Sequence, residues 1–335
     1  MLRRSGAALM QLAVVMVTAA SLAFLCLQLA PGDPATALGE GLPVAVREQL
    51  RARYGFDAPI GVQYLRWLQS LLVGDFGWST SQHRPVIDVL ADAIPNSLRL
   101  VIPAFMVSVL AGTLIGVWQA VHRGTRRDRT ASALLLVVYS APEFWLATWL
   151  IILFAGVWPI LPPSGISSVW ARHLSPLGQV TDALRHLILP VLAIALVGTA
   201  TLARHQRASM LDALALPFMR SARASGLSRG RLRYVAWRHA VLPVLTMAGV
   251  LLPSYLGGLI FIEQIFAWPG LGYTMLRAIG AHDYAVVAAV VIVGSGLTAT
   301  CTMLVKGAVH VLDPRQRQVM HHGMHHAGPV HRRPA

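Results

Sequence analysis

The stretch YAVVAAVVIVGSGLTATCTMLV at 284–305 runs for 22 residues without a charge. A helix of that length, rising ~1.5 Å per residue, crosses the ~30 Å hydrocarbon core of a bilayer. It opens an apolar segment placed at 284–310, and five more lie at 8–30, 97–121, 131–157, 186–204 and 241–263. Hydrocarbon offers no partner to a bare amide or carbonyl, so each segment must satisfy its own backbone as a helix, and strands are excluded at that depth. The expected fold class is an all-α integral membrane protein with six transmembrane helices. Composition agrees: 55% of the 335 residues are apolar and 13% charged, with 28 glycines and 20 prolines.

The formal net charge of +14 does not point to nucleic acid, because the arginines fall in loops between apolar stretches and not on one face of a soluble domain. With a cytoplasmic N-terminus, segments 1–7, 122–130, 204–240 and 306–335 lie inside. They carry 2, 4, 8 and 5 lysines or arginines, 19 in all, against the acids Asp128, Asp212 and Asp313. Nine arginines remain and face nine acids, with Glu143 and Glu263 set aside at or near membrane depth. This asymmetry follows the positive-inside rule and puts both termini in the cytoplasm. The first stretch, preceded by Arg3 and Arg4, exceeds the about 7–15 apolar residues of a secretory signal and reads as a retained anchor. Cys26 and Cys301 both lie inside apolar stretches and say nothing of redox compartment.

Three parts follow. Residues 1–95 hold the first helix and an external cap with helix-like pieces at 43–54 and 62–73. Residues 96–312 hold the transmembrane core with an inner loop at 205–240. Residues 313–335 form a polar, aperiodic tail expected to be disordered. The outer loop 159–185 is interrupted by Pro162, Pro163, Gly165 and Pro176, which break regular structure. In the tail, His321, His322, His325, His326 and His331 offer imidazoles that ligate nickel, copper or zinc, and the plainer reading is a solvated tail.

The inner loop is the most informative segment. Pro217 breaks the fourth helix, Phe218 to Ser225 form two turns, and Gly226 supplies a helix end that tolerates positive φ. Ser228 caps a following helix that runs through His239, and Pro243 enters the fifth span. Phe218 and Ala222 lie four apart and share a face, while Arg220 and Arg223 point elsewhere, so a small apolar and basic knob protrudes. Taken alone, such a knob suits anionic lipid headgroups.

The string FMRSARASGLSRGRLRYVAWRHAVLP at 218–243 resembles the cytoplasmic loop of binding-protein-dependent ABC permeases, in which an alanine-rich helix followed by glycine docks into an ATPase groove. Arg220, Ser221, Ala222, Arg223, Ala224 and Gly226 are similar to the pattern of the peptide-uptake branch, with Ser225 in place of a lysine and a slightly shorter run to Pro243. LAPGDPA at 29–35, ARYGFDAPIGVQYLRWLQSLLVGDFGWS at 52–79, IEQIFAWPGLGYTM at 262–275 and LDPRQR at 312–317 resemble the same peptide and nickel permeases, in the same order.

The resemblance implies a type I importer permease bundle and an ATPase-coupling helix of Phe218, Arg220, Ala222, Arg223, Ala224, Gly226 and Leu227. It further implies a second permease subunit in a heterodimer, two cytoplasmic ATPase subunits that hold ATP and Mg, and an extracytoplasmic solute-binding protein. No cofactor is expected on this chain itself. Dipeptides, longer peptides, glutathione and nickel all suit such a system, and peptide is the preferred substrate.

Inside the bilayer, Gly249, Pro253, Gly257 and Gly258 lie within ten residues of the fifth span, where small residues allow close packing and proline a kink. Pro253 and Gly257 are therefore candidates for the translocation path, against a reading as plain packing. Glu143 is a third candidate, because a carboxylate about 12 residues into a span faces a bundle interior or a water-filled cavity. It either meets a cationic group of a passing substrate or bonds a neighbouring helix. A nucleotide-binding loop of the GxxxxGK[ST] kind needs a lysine, and Lys306 is the single one present. An ion-coupled transporter, the rival from another class, calls for several intramembrane acids or broken helices in repeated halves.

Overall fold

The computed structural model describes residues 2–29 and 58–312. The helix-like piece expected at 43–54, LAPGDPA from its second residue and the histidine tail lie outside the described residues.

The chain is built from ten α-helices among those residues: α1 Leu2–Leu29, α2 Ile60–Leu72, α3 Val86–Val121, α4 Arg126–Ser140, α5 Glu143–Ile151, α6 Pro176–Ala215, α7 Pro217–Ala224, α8 Arg229–Ile265, α9 Leu271–Gly280 and α10 Tyr284–Leu312. One antiparallel hairpin, β1 Trp78–Ser79 and β2 Arg84–Pro85, precedes α3. At ~1.5 Å per residue the 40 residues of α6 and the 37 of α8 are each nearly twice as long as the ~30 Å apolar depth of a bilayer. Both are longer than a crossing needs. Prolines 95 and 103 sit inside α3, and 243 and 253 inside α8, without ending either helix. The capped helix expected after Ser228 and the fifth span are thus one continuous rod, and α3 runs unbroken through Pro95.

Four helices, α3, α6, α8 and α10, are long and apolar enough to cross a membrane. The stretch expected as one span at 131–157 needs correction. It is broken into α4 and α5, bent by 107° across Ala141 and Pro142. Pro142 brings no N–H to the ladder and disfavours the helical conformation of the residue before it, and here, unlike at the prolines inside α3 and α8, the helix stops at Ser140 and restarts at Glu143. Taken as one bent span, the pair makes a fifth crossing. The sixth expected stretch lies in α1, whose apolar portion Met10–Cys26 is shorter than the other five.

The chain divides into two compact units. Unit 1 comprises 1–106, 138–197 and 254–300; unit 2 comprises 107–137, 198–253 and 301–335. Within unit 1, Val86, Val89, Leu90 and Ala93 of α3 pack with Leu271 and Ala278 of α9 and Val286, Ala289 and Val290 of α10. Asp283 ties the hairpin to this core. Fully buried, its Oδ2 accepts from Ser79 Oγ at 2.6 Å, Ser81 N at 3.0 Å and Ser81 Oγ at 2.7 Å. Its Oδ1 lies 3.4 Å from Val286 N in the first turn of α10, where an aspartate also complements the helix dipole. α2 lies along α1 through Tyr64, whose hydroxyl is 2.7 Å from Ser21 Oγ and whose ring stands 5.3 Å from Phe24.

Within unit 2, α3 meets α6 closely. A β-carbon on Gly116 would stand 2.6 Å from both the Ala203 carbonyl oxygen and Gln206 Cβ, so no larger residue fits that approach. A second tie is ionic. Arg207 of α6 donates from Nε to Asp128 Oδ1 at 3.0 Å and from a terminal nitrogen to Oδ2 at 2.9 Å, while Gly124 N donates to Oδ2 at 3.0 Å. Asp128 is 2% exposed, so removing its partner strands a buried carboxylate. Arg207→Ala should cost about 1–3 kcal/mol, as for a buried polar group left unpaired and short of the roughly 3–5 for a fully buried pair, because the arginine is itself partly exposed. Thermal unfolding of the purified chain in detergent checks this; Asp128→Asn, which keeps one hydrogen bond, should lose less.

Candidate functional site

α7 owes its existence to its two ends. Pro217 occupies the first helical position, where a missing N–H costs nothing and the fixed φ suits a helix. At the other end the two hydrogen bonds of a Schellman cap close: Leu227 N donates to Ala222 O at 3.3 Å, and Gly226 N donates to Arg223 O at 3.1 Å. Gly226 stands at φ +75°, a conformation that a β-carbon disfavours. Ser228 follows and starts α8, its carbonyl accepting from Leu232 N at 3.0 Å and its hydroxyl lying 3.4 Å from Arg231 N.

One residue seats this helix. Met219 is fully buried among Ala120 of α3, Met210 and Ala213 of α6, and Leu232, Ala236 and Ala240 of α8. Ala222 and Leu227 are half-buried against the same cluster. Phe218 is 39% exposed and rests its ring 4.9 Å from that of His239. Arg220, Arg223, Ala224 and Gly226 are exposed. The face of α7 that packs is thus Met219 with Ala222, three apart, while Phe218 stays at the surface. Arg229, Arg231 and Arg233 at the start of α8 are also exposed, so unit 2 carries a strongly basic surface around a rigidly capped two-turn helix.

Of the three translocation-path candidates, Glu143 and Gly257 belong to unit 1 and Pro253 to unit 2. Glu143 is half-buried in the first turn of α5, with its Oε2 against Gly258 of α8, 2.6 Å from where a β-carbon would stand. Gly257 faces open space. Pro253 lies inside α8 at the edge of unit 2.

A buried polar network in unit 1 had no counterpart in the sequence reading, which set Glu263 aside. Glu263, fully buried near the end of α8, accepts from Ser97 Oγ at 2.6 Å and from Tyr273 N at 2.9 Å. The same Ser97 oxygen accepts from Leu271 N at 2.8 Å. Trp268, 2% exposed, donates from Nε1 to the Asn96 carbonyl at 2.8 Å, and Asn96 Nδ2 donates to Pro269 O at 3.0 Å. The segment between α8 and α9 is thereby folded back and locked onto α3. The available signal was a glutamate preceding AWPGLG, a turn-rich run whose backbone donors need an acceptor.

Comparison with known proteins places these features. The family model described as binding-protein-dependent transport system inner membrane component matches residues 112–318, and the model for the N-terminal part of such membrane components matches residues 1–101. The chain is 31% identical over 297 residues to the oligopeptide transport system permease protein AppB of Bacillus subtilis strain 168, covering 88% of this chain and 92% of that one. It is 35% identical over 315 residues to the dipeptide transport system permease protein DppB of Escherichia coli strain K12, covering 88% and 93%.

Proposed function

We propose, from the premise that this chain belongs to the family of binding-protein-dependent transport system inner membrane components, that it is the permease subunit of a peptide importer driven by separate ATPases. As a member of that family it is a multi-pass membrane permease component and not itself an enzyme. Both termini and the loop carrying α7 face the cytoplasm, in keeping with the 19 basic residues of the inner segments. A second permease subunit completes the pathway. Two ATPase subunits bind ATP and Mg, and a solute-binding protein delivers the peptide from outside.

The observation that carries this reading is the construction of α7. A helix of 8 residues is too short to persist in water unless its ends are capped and one face is packed. Here Pro217 and Gly226 supply the ends and Met219 the packed face, so force applied to the exposed side is passed directly to α6 and α8. Rigid-body motion of such rods about packed contacts is a known route to alternating access. Glu143 beside Gly258 is assigned to the path as a carboxylate for a peptide's cationic amine.

Co-expression of the chain with candidate ATPase and second permease subunits, followed by affinity purification, tests the assembly. The ATPase is expected to co-purify, and vesicles containing the complex are expected to accumulate labelled peptide only with ATP and binding protein present. Uptake in the absence of any ATPase, driven by a proton or sodium gradient, would overturn the proposal.

A further inference from the structure

Resting on the peptide-uptake reading, we propose that a basic cleft in unit 1 receives the C-terminal carboxylate of the incoming peptide, with Arg99 and Arg277 as the groups that hold it. The cleft has a volume of about 780 Å³ and lies between the hairpin, the first turns of α3 and the helix α9. That size falls within the range of roughly 300–1,000 Å³ typical of small-ligand sites, whereas a face for a folded protein has no need of concavity.

Its charge is uneven. Among the described residues three arginines line it, Arg84, Arg99 and Arg277, against one acid, Asp92. Arg84 is already consumed: one terminal nitrogen donates to Asp92 Oδ2 at 2.6 Å, and its Nε and other terminal nitrogen donate to Gln82 Oε1 at 3.1 and 2.9 Å. Arg99 spends one N–H on Asn96 Oδ1 at 3.0 Å. Arg277 has a long contact of 3.4 Å to the Tyr273 hydroxyl and lies 5.8 Å from the centre of that ring. Among the described residues neither Arg99 nor Arg277 forms an ion pair. Each guanidinium has five N–H donors in a planar fork that matches the two oxygens of a carboxylate, so most of that capacity is unspent. Among the described residues this leaves a local excess of two positive charges in the lining.

The floor of the cleft is rigid. Asn96 and Tyr273 belong to the Glu263 network, with Trp268 and Pro269 bonded to Asn96 and the Tyr273 amide bonded to Glu263. Arg99 and Arg277 therefore project from backbone that is held in place before a ligand arrives, the condition under which binding loses least to ordering.

The test uses the assembled importer in lipid nanodiscs and trialanine as free acid and as C-terminal amide. Binding of each peptide is measured by titration calorimetry without binding protein or ATP, for the native complex and for Arg99→Gln/Arg277→Gln. Both arginines are exposed, so glutamine leaves the packing intact. The free acid should bind at least tenfold more tightly than the amide, and the double substitution should abolish that difference, with Arg99→Lys/Arg277→Lys restoring part of it. Equal binding of acid and amide by the native complex, or no binding of either, overturns the proposal. So does an unchanged acid preference in the double variant. In parallel, the affinity of the solute-binding protein for the complex should stay within twofold; a loss of docking without any acid-to-amide difference would assign the cleft to an acidic protein surface instead. Failure of the native complex to import trialanine, with the acid preference intact, would count against the peptide-uptake reading alone.

Discussion

Gly116→Leu should leave little or no chain in the membrane fraction, while Gly230→Leu should accumulate normally. Both glycines sit in helices, so the loss of backbone entropy on folding is similar and helix propensity favours leucine at both. The difference is space. At Gly230 nothing lies within 4 Å of a built β-carbon, whereas at Gly116 that atom falls 2.6 Å from a backbone oxygen and from Gln206 Cβ, with Gln206 Cγ at 2.9 Å. A flexible side-chain tip could move aside; a carbonyl within α6 and a β-carbon on the same helix cannot, unless the whole of α6 shifts. Overpacking of this kind costs about 1–3 kcal/mol when one methylene is forced in, and leucine adds a branched side chain beyond that atom. Close approach of small residues is also what membrane helices rely on to associate, because lipid supplies no hydrophobic drive between them. Quantitative immunoblotting of membranes from cells expressing each variant decides the matter, and Gly116→Ala should fall between the two.

How far the sequence carries follows from how local each cause is. The long helices and the excluded strands follow from hydropathy and an internal backbone rule, which need no knowledge of neighbours. The ends of α7 are equally local: Pro217, Gly226 and Ser228 act through their own backbone or their own short side chains. The break at Pro142 was in plain view yet hidden by averaging, because a window that measures apolarity from 131 to 157 counts proline as one residue among many and misses the lost hydrogen bond. The inward face of α7 is Met219 and Ala222, and a single methionine in a two-turn helix does not announce burial until α3, α6 and α8 close around it. The Asp128 and Arg207 pair and the Glu263 network join residues 79 and 166 positions apart, and no local pattern reports such distances. The same holds for the cleft, where the charge imbalance exists only once α3 and α9 have been brought together.

Arg220→Glu/Arg223→Glu should lower ATP-driven peptide uptake at least tenfold, about 1.4 kcal/mol or more of lost coupling, while lowering the stability of the chain by about 1 kcal/mol at most. Both side chains are exposed on α7 and make no ion pair among the described residues, so the cost is that of a surface change together with a carboxylate placed in the last turn of a short helix. Met219→Ala is the contrasting change. It removes the buried anchor through which α7 passes force and should cost about 2–5 kcal/mol, with the unfolding temperature and uptake per folded permease falling together while the ATPase still co-purifies. Comparing the two separates a helix that transmits force from one that merely sits well. The readouts are uptake per folded permease, co-purification of the ATPase, and unfolding temperature in detergent. If α7 receives the ATPase, charge reversal should abolish co-purification while the unfolding temperature changes little. If α7 instead rests on anionic headgroups, reversal should leave the ATPase bound and uptake near native in vesicles made of neutral lipid, because the attraction that was lost was to the lipid charge alone. That second outcome would remove the physical basis for assigning coupling to the exposed face beside Gly226.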